Sequence, residues 1–308
     1  MSDQTGFLFF MTSVFSLIHN LKMMSILKMA VQKNGRLSEK SLELLKDCGI
    51  RLYNGDRKLK TVSPNFPIEI LFLRDDDIPQ YVEQGVADIG ILGLNEVWEK
   101  DREVTVLREL GFASCRMSIA VPREQEFPGL ESLNGKRIAT SYPNILSKFF
   151  AEKSIIADIE TIGGSVEIAP GIGLSDGIFD IVSTGSTLLT NGLKEVEVVA
   201  KSQAVMIASP NLTEDKVAIL NKLLFRMDAV QKAAGHKYIL LNAPESAVAE
   251  ISSLLPGMKS PTVLPLAEKG WCSLHSVIRE DEFWENIDRL RDLGAQGILV
   301  VNLEKMIL

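Results

Sequence analysis

Large apolar residues recur at every second position along Leu27-Lys28-Met29-Ala30-Val31-Gln32, the two-residue period of a strand. Lys33-Asn34-Gly35-Arg36 reads as a turn. The spacing of Leu42, Leu45 and Cys48 then predicts an amphipathic helix, capped by Ser38 and stopped at Gly49. A second apolar run, Pro67–Leu73, predicts a strand ending in Arg74-Asp75-Asp76-Asp77. A short helix from Ile78 to Gln84 follows, and then a strand over 86–93. Strands alternating with helices predict βαβ units and a largely parallel sheet.

The pattern starts afresh near Ser118. Arg137–Thr140 predicts a strand, Asn144–Lys153 a helix, and Ser165–Ala169 another strand. Glu195–Val199 and Ala204–Ala208 predict strands that lead back toward the first unit. Two α/β lobes joined by crossing strands enclose a ligand cleft. After a helix over 213–234 the order becomes strand (238–242), helix (245–255), strand (262–266), strand (272–278), helix (282–293), strand (298–302). That is the ferredoxin-like β-α-β-β-α-β order. The expected class is therefore α/β: two lobes like those of periplasmic binding proteins, plus a C-terminal ferredoxin-like, ACT-like domain. The expected divisions are lobe I over 25–117 and about 200–230, lobe II over 118–199, and the last domain over 235–308.

Composition narrows the function. With 46% hydrophobic and 24% charged residues the chain is globular, and a net charge of −7 disfavours a nucleic-acid binder. The scattered Cys48, Cys115 and Cys272 suit neither a disulfide framework nor a metal site, which fits a reducing cytoplasm. The apolar stretch 6–18 is shorter than a bilayer span, and neither a basic flank nor a cleavage site accompanies it. It is expected to belong to a non-structural extension over 1–24.

The chemistry concentrates in Phe179-Asp180-Ile181-Val182-Ser183-Thr184-Gly185-Ser186-Thr187. An apolar strand ends in an acid and then delivers small, hydroxyl-bearing residues into a helix. Backbone N–H groups and hydroxyls of such a turn suit a phosphate monoester, with Gly185 allowing close approach. A plain capped turn would read the same way locally. The Lys of a Walker-type loop is missing.

Five segments together resemble a known family: Gln32–Leu37, Arg74–Pro79 before Asp88–Ile91, Asn134–Pro143, Gly164–Pro170, and the Asp180–Thr187 loop. In order and spacing they are similar to the ATP phosphoribosyltransferases that open histidine biosynthesis, and the third domain matches the long form of that family. The resemblance implies a Mg²⁺-dependent transfer of phosphoribosyl from phosphoribosyl pyrophosphate to a ring nitrogen of ATP, with pyrophosphate leaving and the anomeric carbon inverting. It assigns Thr184, Gly185, Ser186 and Thr187 to the donor's 5-phosphate, Ser183 to the binding of the donor, and Glu167 and Asp180 to the ribose and its developing positive charge. Many short-form relatives carry an acid where this chain has Ser183.

By the same resemblance, Lys33, Gly35, Arg36, Arg74, Asp75 and Tyr142 line the ATP side, and Arg36 and Arg57 act as cationic stabilisers. Read alone, Arg57 is an ordinary charge-run residue, and the Arg74 cluster suits an internal salt bridge equally well. Asn242, Thr262, Val277 and Gly297 would line a pocket for inhibitory L-histidine, though they also suit strand ends. A cytoplasmic homo-oligomer, hexamer in exchange with dimer, is implied, with no nucleic-acid or membrane partner. Two other readings stay open: an exported two-lobe solute-binding protein, and a different phosphoribosyltransferase.

Overall fold

The computed structural model describes residues 25–53 and 59–308, so the apolar stretch 6–18 and Arg57 lie outside the described residues. The described residues form two compact units. One comprises residues up to Glu43 together with Ile50–Leu220, and the other Leu44–Gly49 with Asn221–Leu308.

The first unit contains two sheets. In the first, β1 (Leu27–Gln32) runs parallel to both β3 (Ile68–Leu73) and β4 (Ile89–Gly93). With β2 (Lys60–Val62), β5 (Thr105–Glu109) and β11 (Ala204–Ala208) the order is β2-β3-β1-β4-β11-β5. Strand β11 returns from beyond the second sheet and pairs antiparallel with β4 and β5. The connecting helices are α1 (Arg36–Asp47), α2 (Ile78–Glu83) and α3 (Leu94–Lys100). Ile89, Ile91 and Leu92 are fully buried, as befits a central strand covered on both faces. Gly90 permits that cover: a Cβ there would lie 2.6 Å from Ile78 Cγ2 on α2.

The second sheet has the order β10-β6-β9-β7-β8, from β6 (Cys115–Pro122), β7 (Arg137–Thr140), β8 (Asp158–Thr161), β9 (Gly177–Val182) and β10 (Leu193–Ser202). Strand β7 is parallel to β8 and β9, whereas β6 is antiparallel to β9 and β10. Helices α4 (Pro143–Lys153) and α5 (Ser186–Thr190) follow β7 and β9. Phe149, Phe150 and Phe179 anchor its core.

Helix α6 (Glu214–Ala233) leads into the second unit. There β12 (His236–Pro244), α7 (Val248–Leu254), β13 (Thr262–Pro265), β14 (Trp271–Arg279), α8 (Glu280–Asp292) and β15 (Gln296–Asn302) give an antiparallel sheet of order β13-β14-β12-β15. This is the expected ferredoxin-like topology. Ile239, Leu241, Leu274, Phe283 and Leu290 form its core.

Two local expectations are corrected. The residues Ser165–Ala169 do not form a strand: Val166–Ile168 is a 3-10 turn, entered through Ser165 at φ +51°. Val166 and Ala169 are buried while Ile168 is exposed, a three-residue spacing that suits a helical turn and not a pleat. Nor does Ser38 begin α1. The helix opens at Arg36, and Glu39 N–H donates to the carbonyl of Gly35, which turns the chain at φ +95°. Ser38 is buried inside the first turn.

Candidate active site

The expected strand–turn–helix junction after Asp180 is present. Strand β9 ends at Val182, Gly185 adopts φ +82°, and α5 starts at Ser186. Thr184 Oγ1 and Ser186 Oγ lie 3.0 Å apart, and Leu189 N–H donates to Gly185 O, which closes the first helical turn. A cavity of about 290 Å³ sits against the loop, lined by Ser183 through Thr187 together with Glu167, Asp180 and Arg36. Arg36 comes from the other sheet's α1, so the cavity brings together residues from both lobes.

Two carboxyl groups, Asp180 and Glu167, line the cavity. Burial, with Glu167 adding to it, pushes the Asp180 carboxyl up to about 6, although the Ile181 N–H, 2.7 Å away, favours the ionised form. The cavity therefore pairs a titratable acid and Glu167 with the Arg36 guanidinium and several hydroxyl and backbone donors. That is a set suited to a ribose bearing a phosphate.

Beside it lies a second polar cluster. Asp75 accepts from Gln32 Nε2 at 3.2 Å. Glu96, in the first turn of α3, is buried and hydrogen-bonded to the Tyr142 hydroxyl. Burial first, and the neighbouring Asp75 second, push its carboxyl up to about 7. Burial, with the charges of Glu96 and Asp180, raises the Tyr142 phenol. Asn95 Nδ2 donates to Glu96 Oε1 (3.1 Å) and to the Tyr142 hydroxyl (3.4 Å), while Ser202 Oγ donates to Asn95 Oδ1 at 2.9 Å. One turn further along α3, both oxygens of Glu99 accept backbone N–H groups of Asn144 and Ile145 at 3.0 Å, capping α4. Helix α3 thus holds the start of α4 across the lobes with two buried carboxyls.

The other expected residues distribute unevenly. Lys33 and Gly35 lie in the exposed turn between β1 and α1. Arg74 is turned onto Asp76 (Nε to Oδ1, 3.0 Å) and is not among the residues lining the cavity. In the second unit, Asn242 stands opposite Ser273 on one side and Gln296 on the other, and a Cβ on Gly297 would come within 3.6 Å of Asn242 Nδ2. Thr262 pairs in register with His275, and Val277 with Tyr238. The His275 ring is held between the Tyr238 hydroxyl (2.9 Å) and Ser273 Oγ (3.1 Å).

Periodicity alone misses Asn95, Glu96 and Glu99. The buried face of α3 is polar, the reverse of an amphipathic helix. The available signal is an Asn-Glu pair one residue beyond the apolar Ile89–Gly93 strand. Arg116 and Glu195, behind the anion loop, are also missed. Their signal is a charged residue set into each of two strands of the second sheet.

Known proteins resemble this chain over most of its length. Residues 74–229 match the family model described as ATP phosphoribosyltransferase, and residues 233–305 match the model of that family's C-terminal domain. The chain is 58% identical over 285 residues to an ATP phosphoribosyltransferase of Cytophaga hutchinsonii, covering 92% of this chain and 100% of the relative. It is 58% identical over 283 residues to one of Azobacteroides pseudotrichonymphae, with the same coverage. Among solved structures, the ATP phosphoribosyl transferase (HisG:HisZ) complex from Thermotoga maritima superposes with a TM-score of 0.57 at 32% identity, over 66% of this chain and 98% of that one.

Proposed function

The chain belongs to the ATP phosphoribosyltransferase family in its long-form architecture, and from that premise we propose that it condenses ATP with phosphoribosyl pyrophosphate. The products are phosphoribosyl-ATP and pyrophosphate, and the step opens histidine biosynthesis. Family membership makes the chain a transferase and sets aside the solute-binding reading. The observation that carries the site assignment is the single cavity in which Arg36 faces Glu167, Asp180 and the Ser183–Thr187 loop.

In this reading the loop holds the donor's 5-phosphate through backbone N–H groups and the hydroxyls of Ser183, Thr184, Ser186 and Thr187. Asp180 and Glu167 lie against the ribose. As the bond to pyrophosphate breaks, the sugar ring acquires positive charge, and ionised carboxylates nearby stabilise it. Arg36, and Arg57 from outside the described residues, draw off the diphosphate through paired guanidinium contacts. ATP lies beside this cavity, toward Lys33, Gly35, Asp75, Tyr142 and Arg74. An adenine ring nitrogen brings its own lone pair, so positioning outweighs base catalysis, and no single general base is assigned.

Mg²⁺ would supply charge neutralisation of the departing pyrophosphate. Among the described residues no cluster of three or more His, Cys, Asp or Glu side chains forms a metal cage. Glu167 and Asp180 offer hard oxygen donors that suit an ion arriving on the substrate. Histidine is proposed to bind the C-terminal unit near Asn242, Thr262, Val277 and Gly297 and to inhibit from there. The working form is proposed as a cytoplasmic homo-oligomer, hexamer in exchange with dimer. Among the described residues no helix is long and apolar enough to cross a membrane.

The direct test is incubation of the purified chain with ATP, phosphoribosyl pyrophosphate and Mg²⁺, following pyrophosphate and phosphoribosyl-ATP with and without histidine. Equal amounts of both products, suppressed by histidine, are expected. Pyrophosphate release that does not need ATP would overturn the assigned reaction.

A further inference from the structure

We infer that Arg116, clamped by Glu195, is a positioning residue that holds the backbone of the Ser183–Thr187 loop in the shape that receives a phosphate monoester. The inference rests on the assignment of that loop to the donor's 5-phosphate.

Arg116 stands on β6 in register with Val182, the last residue of β9 before the loop. Its side chain passes the end of the strand pair, and Nη1 donates to the carbonyl oxygen of Ser183 at 2.9 Å. The other side of the guanidinium is held in a fork: Nε donates to Glu195 Oε1, and Nη2 to Glu195 Oε2 at 2.6 Å. Ser118, two residues along the same face of β6, donates from Oγ to Glu195 Oε1 at 2.6 Å. Ser118 is also the register partner of Asp180. A continuous polar strip therefore runs across three strands behind the loop, from Glu195 through Arg116 to Ser183.

The consequence follows from peptide geometry. A trans peptide unit is planar, with its C=O and N–H on opposite sides. No cis bond occurs among the described residues. Pinning Ser183 O onto Arg116 therefore turns the N–H of Thr184, in the same peptide unit, away from Arg116. Thr184 lines the cavity. Released from Arg116, that peptide could rotate and present its carbonyl oxygen to an incoming phosphate, which would repel it. The next bend lies close to the same group: a Cβ on Gly185 would lie 3.8 Å from Arg116 Nη2.

Two features separate positioning from a direct charge contact or a plain structural bridge. The guanidinium charge is already matched by Glu195, whose carboxyl Arg116 holds below the usual carboxylate range. The pair is also partly open to solvent, with side chains 32% and 24% exposed, and so adds little to stability by itself. Its effect lies in orientation.

The test uses the full chain and measures KM for each substrate, kcat, thermal stability and, without any turnover, the binding of inorganic phosphate. Arg116→Gln is expected to raise KM for phosphoribosyl pyrophosphate about tenfold, as for loss of one charge-assisted hydrogen bond. Phosphate affinity should weaken in parallel, with KM for ATP and melting temperature close to wild type. Arg116→Lys should fall between, because an ammonium lacks the planar fork that meets both partners. Glu195→Gln discriminates most sharply. A positioning role predicts weaker phosphate binding when the clamp loosens, whereas a direct phosphate ligand would be freed and bind more tightly. Unchanged or tighter phosphate binding in Glu195→Gln, or a folded Arg116→Gln with wild-type donor KM, overturns the inference. If Arg116→Gln does not fold, Arg116→Lys and Glu195→Gln decide it. Failure of the assigned reaction would show in wild-type turnover, while the clamp is still judged by phosphate binding.

Discussion

Glu96 is a carboxyl whose neighbourhood opposes its charge. It is 5% exposed, with Asp75 close by, and the folded state holds its proton up to about pH 7 against an ordinary value of 4.5. Between those values the folded chain binds more protons than the unfolded one, so this group's contribution to stability falls as pH rises through the window. The penalty is complete above about pH 7 and absent below about 4.5. Glu96→Gln keeps an acceptor for Tyr142 and Asn95 and should raise the melting temperature at pH 8 but not at pH 4. The gain has an upper bound on the order of 3 kcal/mol. Calorimetry at the two pH values checks this, and an equal shift at both would contradict it. Gly185 makes a different residue-scale demand, since φ +82° excludes a β-branched side chain whatever the space. Gly185→Val should cost about 1–3 kcal/mol locally and lower kcat/KM for the donor by about 10²-fold. Steady-state kinetics with near-normal folding would show it, and wild-type kinetics would remove the loop from the site.

At the scale of elements, legibility followed how each segment's burial matches a simple period. Strands β1 and β7 are buried over most of their length, helix α2 buries Ile78 and Val82 at helical spacing, and the limits of all three were readable almost to the residue. The loop after Asp180 was readable because a strand, a glycine and hydroxyl residues occur in the order that the turn needs. The stretch 165–169 was misread because Val-Glu-Ile-Ala also fits a strand, and only the left-handed Ser165 shows why it curls. Helix α3 escaped notice because its inward side chains, Asn95, Glu96 and Glu99, are polar and are satisfied by groups on distant segments. Arg116 and Glu195 stand 79 positions apart and meet only once β6 and β10 pair. No local pattern announces such a contact.

Across the whole molecule, the alternation of elements is enough to suggest two α/β lobes and a β-α-β-β-α-β unit, because each element carries its own amphipathic signal. The return of the chain to the first sheet is expected from the strands over 195–208; what the alternation does not supply is that β11 enters antiparallel between β4 and β5. That return matters for function. In each sheet the candidate site residues leave the carboxyl ends of parallel strands: Arg36 after β1, Asp75 after β3, Glu96 after β4, Tyr142 after β7 and the Ser183–Thr187 loop after β9. This is where open α/β sheets bind ligands. With α3 fastened to α4, the two sets of strand ends contribute to one cavity. The measurement that tests this most directly is a crystal structure of the full chain with phosphoribosyl pyrophosphate and Mg²⁺ bound. The account predicts the 5-phosphate within hydrogen-bonding distance of Thr184, Gly185, Ser186 and Thr187, the ribose against Asp180 and Glu167, and the diphosphate toward Arg36. A 5-phosphate seated anywhere else, with the Ser183–Thr187 loop empty, would contradict it.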